Sequence, residues 1–182
     1  MCGTHSLQEG QQSDHSAELY IREACISDLP RMLEIYNHVV RTSAATFDLL
    51  EQTVEQRSEW FQEHGKSYPL IIGEIGGRVV AYCSLSRFRD KPAYSRTVES
   101  SIYVDNGFQG LGIGKRLMMD ILERAKLLEY HVVIAGIARG NQASVRLHKS
   151  LGFEYVGCFR EVGYKFGSWQ DVLFYQLHMP DS

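Results

Sequence analysis

Apolar residues recur at helical spacing after Ser27 and Asp28, where Leu29, Met32, Leu33, Tyr36 and Val39/Val40 fall on one stripe. Ser27 or Asp28 is the expected N-cap, and Pro30 sits where an early helical proline is tolerated. Before it, "ELYIRE" (18–23) alternates in part and suits a first strand. After it, "TVEQRSEWFQEH" predicts a short amphipathic helix capped by Thr53. "YPLIIGEIGGRVVAYCSLSRF" then reads as two apolar strands joined at Gly76-Gly77, a hairpin signal.

The next strand alternates cleanly. Val98, Ser100, Ile102 and Val104 share one face, and Glu99, Ser101 and Tyr103 the other. A glycine cluster follows, and then a helical stripe of Ile113, Leu117, Ile121, Leu122, Ala125 and Leu128. "HVVIAGIA" predicts a buried strand. "NQASVRLHKSL" predicts a helix stopped by Gly152, and the remainder to "LHM" two antiparallel strands. The resulting order, βααβββαβαββ, is an α/β arrangement around one mixed sheet, with no repeat and no internal linker.

Composition narrows the function classes. The chain has 182 residues, a length suited to one domain, here 18–182 behind a polar extension, 1–17, expected to be flexible. A net charge of -3 gives no bulk attraction to nucleic acid, so no nucleic-acid partner is expected. No apolar run approaches the roughly 20 residues that span a bilayer, and the first 17 lack the apolar core of a signal peptide. The four cysteines form no C-x-x-C pair and read as reduced thiols, which suggests a cytoplasmic protein; the seven histidines are scattered, so no metal is expected.

The glycine cluster, "VDNGFQGLGIGKRLM", raises the question of whose phosphate it holds. A P-loop needs G-x-x-x-x-G-K-[ST], but Lys115 is followed by Arg116 and Gln109 stands five residues before Gly114. A dinucleotide fingerprint needs G-x-G-x-x-G, whereas Gly110, Gly112 and Gly114 are spaced by two. What remains is a glycine turn opening a helix. Its free N–H groups and the helix dipole suit a diphosphate, with Lys115 or Arg116 adding charge. A tight turn with no ligand is the alternative.

Here the motifs meet a known family. "VDNGFQGLGIGKRLM" resembles the acetyl-CoA motif Q/R-x-x-G-x-G/A of the GNAT superfamily of N-acetyltransferases, and "GNQASVRLHKSLGFEYVG" its second cofactor motif. "AYSRTVESSIYV" and "VGYKFGSWQDVLFYQL" resemble the phosphinothricin and methionine sulfoximine acetyltransferase branch. The resemblance implies the GNAT-type fold, acetyl-CoA as donor without a metal, a small-molecule amine as acceptor, and a homodimer. It places the cofactor against the backbone of Ile102, Tyr103 and Val104, against Gln109, Gly110, Leu111, Gly112, Ile113, Gly114 and Lys115, and against Asn141.

Amine acetylation needs a base, because the acceptor ammonium holds its proton at neutral pH. In the resemblance Glu99 matches the catalytic glutamate; otherwise it is a strand residue facing solvent. His148 stands where many members carry a tyrosine, and the branch a histidine, able to assist as acid or base; otherwise it only packs. Asn141 matches the residue that holds the pantetheine arm, or is only a helix N-cap. Arg89, followed by Asp90 and Lys91, matches the branch's loop arginine, whose guanidinium can grip a carboxylate or phosphinate; Ser100 and Ser101 join that acceptor set. Relatives carry R-P-F in this loop, so "RDK" leaves the acceptor open. Phe47 is either an aromatic wall or core. The expected reaction is direct attack on acetyl-CoA by the α-amine of a small amino-acid analogue in a ternary complex. Alternatives are acetylation of a polyamine or protein N-terminus, or a non-catalytic acetyl-CoA-binding module.

Overall fold

A computed structural model describes residues 18–179, so the expectation for 1–17 lies outside the described residues. The strands are β1 (Tyr20–Glu23), β2 (Leu70–Ile75), β3 (Arg78–Arg87), β4 (Thr97–Val104), β5 (Val132–Ala138), β6 (Glu154–Lys165) and β7 (Ser168–His178). The helices are α1 (Leu29–Thr42), α2 (Val54–Gln62), α3 (Ile113–Leu127) and α4 (Gln142–Ser150), with short 3₁₀ turns before α1, β4 and α3. Among the described residues the strands form one seven-stranded sheet in the order β1-β2-β3-β4-β5-β7-β6. β4 and β5 pair in parallel and every other neighbouring pair is antiparallel.

Period-two alternation sorts the side chains into two apolar layers. Ile71, Cys83, Val98 and Val133 face α3, whose Leu117, Met118 and Ile121 are fully buried, and α4 adds Val145 to this layer. On the opposite face Ile72 and Tyr82 meet Met32 and Ile35 of α1, with Trp60, Phe61 and Tyr103 alongside. Glu99 and Ser101 therefore point to the α1/α2 side, as the strand pattern predicts.

Local signals explain most boundaries. Thr53 accepts from the Gln56 N–H at 3.3 Å while Gln56 Oε1 accepts from the Thr53 N–H at 2.9 Å, a reciprocal capping box. Gly76 and Gly77 both take positive φ, which a two-residue hairpin turn requires. Two expectations need correction. Asp28 does stand at the N-cap of α1, but its side chain does not cap it; the carboxylate instead turns back to the Cys25 N–H (2.8 Å) and to Arg22 (2.7 Å). Arg22 holds this carboxyl down, to about 2. Leu128 lies past the last turn of α3 and is 40% exposed, because the helix ends before that position rotates onto the core.

Candidate active site

The sheet opens where β4 and β5 separate. They pair only at Thr97–Val132, Val98–Val133 and Glu99–Ile134, although both strands run on past that point. β4 stays paired to β3 as far as Val104–Ala81, so its Ser100–Val104 stretch has a β5-facing edge with no strand partner. Ser100 Oγ donates to the Ile134 carbonyl at 3.3 Å and closes the fork. Beyond it lies a cleft lined by Ser100–Tyr103, by Ala135–Ala138 of β5, by Asn141, Ser144 and His148 of the α4 segment, and by Ala45. An unpaired strand edge in a cleft is a ready partner for an extended amide chain.

Glu99 stands at this fork, half-buried, and Gly136 leaves room for it. A Cβ at Gly136 would come within 3.2 Å of Glu99 Oε1. Among the described residues no hydrogen bond or ion pair reaches the carboxylate, and burial alone pushes its pKa up. An unpaired carboxyl with a raised pKa is equipped to accept a proton.

The β4–α3 connection is built to expose backbone donors. Asp105 fixes its start, accepting from the Gly107 N–H at 2.9 Å and pairing with Arg31 and, at 3.3 Å, with Arg78. Gly110 (φ 78) and Gly112 (φ 77) then adopt left-handed backbone that side chains disfavour. Gly112 is the α3 N-cap and has no side chain to satisfy the first-turn N–H groups. Gln109, Leu111 and Lys115 are exposed here, Ile113 is buried, and Gly114 packs near Leu147 and Val104. Arg116 turns away and donates to the Leu19 carbonyl at 3.1 Å, which leaves Lys115 as the free cation of the pair named from sequence. Because the sequence resemblance implies that this loop holds the diphosphate of acetyl-CoA, Gly112→Ala should raise the Michaelis constant for acetyl-CoA at least several-fold, a Cβ in left-handed backbone costing about 1–2 kcal/mol. Initial rates at varied acetyl-CoA check it, and an unchanged constant counts against the loop as the diphosphate site.

His148 is buried (3% exposed) on α4. Its Nδ1 lies 2.8 Å from the Ser144 carbonyl, which can only accept, so Nδ1 carries the proton and neutral His148 presents a lone pair at Nε2. Burial lowers its pKa below the usual value. Asn141 does cap α4, its Oδ1 accepting from the Ser144 N–H at 3.1 Å, while it also lines the cleft. The capping role of Asn141 thus leaves it in the cleft wall.

The cleft does not include Arg89, Asp90 and Lys91. They lie on the exposed β3–β4 loop, Arg89 over the rings of Phe88 (5.0 Å) and Tyr94 (5.8 Å) and Asp90 3.4 Å from Arg87. That loop enters β4 two residues before Glu99. Phe47 is not core: it is 37% exposed, and its ring lies against Gly163. Gly136, Ser144 and Ala45 were missed from sequence. Of these only Gly136 carried a signal, a glycine inside an apolar strand, which marks a close approach. A second cavity, of about 260 Å³, lies between the C-terminal ends of α2 and α3 and holds none of the candidate groups.

Comparison with known proteins places this geometry in a family context. Residues 21–174 match the model of the acetyltransferase (GNAT) domain. The chain is 37% identical over 161 residues to the L-methionine sulfoximine/L-methionine sulfone acetyltransferase of Pseudomonas aeruginosa, covering 87% of this chain and 94% of that one. It is 37% identical over 165 residues to the phosphinothricin N-acetyltransferase of Streptomyces coelicolor, covering 88% and 96%. The structure of a GNAT superfamily phosphinothricin acetyltransferase from Sinorhizobium meliloti in complex with AcCoA superposes with a TM-score of 0.86 at 32% identity, covering 88% of each chain.

Proposed function

We propose that this chain, which belongs to the GNAT acetyltransferase family and uses acetyl-CoA as donor, acetylates the α-amine of a small amino-acid analogue of the methionine sulfoximine or phosphinothricin type. The observation that carries the reading is the desolvated, unpaired Glu99 at the fork of a cleft, where its own strand continues as free backbone edge. Acetyl-CoA supplies an activated thioester carbonyl. The open edge of Ile102–Val104 suits the amides of its pantetheine arm, Asn141 suits the same arm, and the first turn of α3 with Lys115 suits its diphosphate.

In this mechanism both substrates are bound together. Glu99 takes one proton from the acceptor ammonium through a bridging water, which frees the nitrogen lone pair. The amine attacks the thioester carbon, the C–N bond forms, and the C–S bond breaks. The attacking nitrogen then sheds its second proton, and the thiolate gains one. We assign His148, neutral with its lone pair at Nε2, to relay that proton instead of supplying its own. Arg89, on the loop leading to the Glu99 strand, is the cation we assign to the acceptor's anionic end.

Thiol release from acetyl-CoA over a panel of methionine sulfoximine, phosphinothricin, ordinary amino acids, a polyamine and a peptide N-terminus tests the reading. Turnover is expected with the amino-acid analogues first. Preferred turnover of the polyamine or peptide would move the acceptor class, and acetyl-CoA binding without release for any amine would leave only a binding module.

We also assign the chain to a homodimer in the cytoplasm. Cys25, Cys83 and Cys158 are free thiols, and among the described residues no helix is long and apolar enough to cross a membrane. On the β6–β7 hairpin the paired Tyr164 and Trp169, with rings 5.2 Å apart, and Phe166 in the turn beside them are each more than half accessible, exposed aromatic surface of the kind that marks an interface. Sedimentation should give twice the chain mass, and Trp169→Glu with Tyr164→Glu should shift it to the monomer. A monomeric wild type refutes the assignment.

A further inference from the structure

The segment between α1 and α2, residues 43–53, has no helix or strand of its own, yet it supplies Ala45 to the cleft. Its far end is tied to α1, where Asn37 Nδ2 donates to the Gln52 carbonyl and Asn37 Oδ1 accepts from the Gln52 N–H, both at 2.9 Å. In the middle, the Tyr36 hydroxyl meets Thr46 Oγ1 and Asp48 Oδ2, each at 2.8 Å. Its near end is held from β6, on the other side of the cleft in sequence.

Two residues of β6, two positions apart and so on one face, make that attachment. The Lys165 ammonium, with the side chain only 4% exposed, donates to the Ser43 carbonyl at 2.9 Å and the Thr46 carbonyl at 2.8 Å. Among the described residues no carboxylate pairs with it, so its bonds go to loop backbone. Gly163 is the second contact. A Cβ there would stand 2.4 Å from Phe47 Cε2 and 2.6 Å from Cδ2, so the ring rests directly on the glycine backbone. Neither residue touches the catalytic groups proposed above.

We propose that Lys165 and Gly163 are positioning residues for acceptor selection: they hold residues 43–47 against β6, so that this loop forms a fixed wall of the acceptor site. The idea rests on the acetyl-transfer reading, because a wall matters only if an acceptor binds there. A lysine is suited to the task because a buried cation left without carbonyl partners is costly, which ties its burial to the loop conformation. The glycine is suited because any side chain would displace the ring.

The test uses the full chain with methionine sulfoximine and phosphinothricin as acceptors. Lys165→Met removes the donors at similar length. It is expected to raise the acceptor Michaelis constant about tenfold, the loss of roughly one charged hydrogen bond, with the constant for acetyl-CoA within about twofold of wild type. Amide hydrogen exchange should quicken in residues 43–48 and stay unchanged in β4. Gly163→Ala should raise the acceptor constant in the same way in the native background, but have no effect once Phe47 is already Ala, since the clash is gone. That last pair also guards against misfolding, because the double variant removes the overlap.

Unchanged loop exchange in Lys165→Met, or a Gly163→Ala effect that persists without Phe47, overturns the proposal. So does a parallel rise in both Michaelis constants. A wild-type chain inert toward every amine in the panel takes down the acetyl-transfer reading and this one together, whereas an active wild type with indifferent variants takes down this one alone.

Discussion

Glu99→Gln should lower turnover by about 10²–10⁴-fold at neutral pH, the range for a lost general base, and at the same time raise the melting temperature. The kinetic half follows from proton transfer. In the wild type the rate climbs with pH as Glu99 ionises, and burial moves that climb above the usual carboxylate range. The Gln variant has no such limb. Its rate follows only the fraction of acceptor already present as free amine, so the gap to wild type narrows as pH rises. A loss of equal size at every pH would remove Glu99 as the base.

The stability half follows from the same burial. A carboxyl whose folded pKa lies above its unfolded one binds a proton more tightly when folded, so stability falls as pH rises from the unfolded value through the folded one. At neutral pH the desolvated carboxylate therefore opposes folding, and Gln carries no charge to desolvate. Thermal unfolding should show Glu99→Gln above wild type at pH 7, with the difference closing toward acid pH. A wild type that melts higher at pH 7 would mean that the carboxylate has partners in the fold.

How much of this could be seen in the sequence depends on how local each signal is. The Thr53 capping box and the Gly76-Gly77 turn act over a few residues, and both stand where their residues predict them. The faces of β4 follow from alternation alone. The separation of β4 from β5 has no such signature, because it depends on which strand lies beside which, and "HVVIAGIA" reads the same whether paired for three residues or seven. Gly136 was visible as an odd glycine in an apolar run, but its purpose appears only when Glu99 is set against it. Lys165 reads as an ordinary strand lysine near a turn. Its burial is created by residues 43–46, about 120 positions away, a distance at which no periodicity speaks.

The core beneath the glycine turn that opens α3 sets the other large effect. Leu117 is fully buried one turn into α3, and its Cδ1 would lie 2.9 Å from a Cβ at Gly73, so helix and sheet meet there with no spare volume. Leu117→Ala removes apolar contacts and leaves a cavity that the rigid β2 backbone cannot collapse to fill. A loss of about 2–5 kcal/mol is expected for such a truncation. In a chain of this size that corresponds to roughly 4–20 °C in melting temperature. Urea titration checks it: the midpoint should drop with little change in slope. A loss below about 1 kcal/mol would mean that α3 resettles onto Gly73. In that case the Gly112 turn would move with the helix, and the acetyl-CoA constant should rise in the same variant. If the cavity instead stays open, the first turn keeps its place and binding of the donor is spared, so stability and donor affinity together tell which way the core responds.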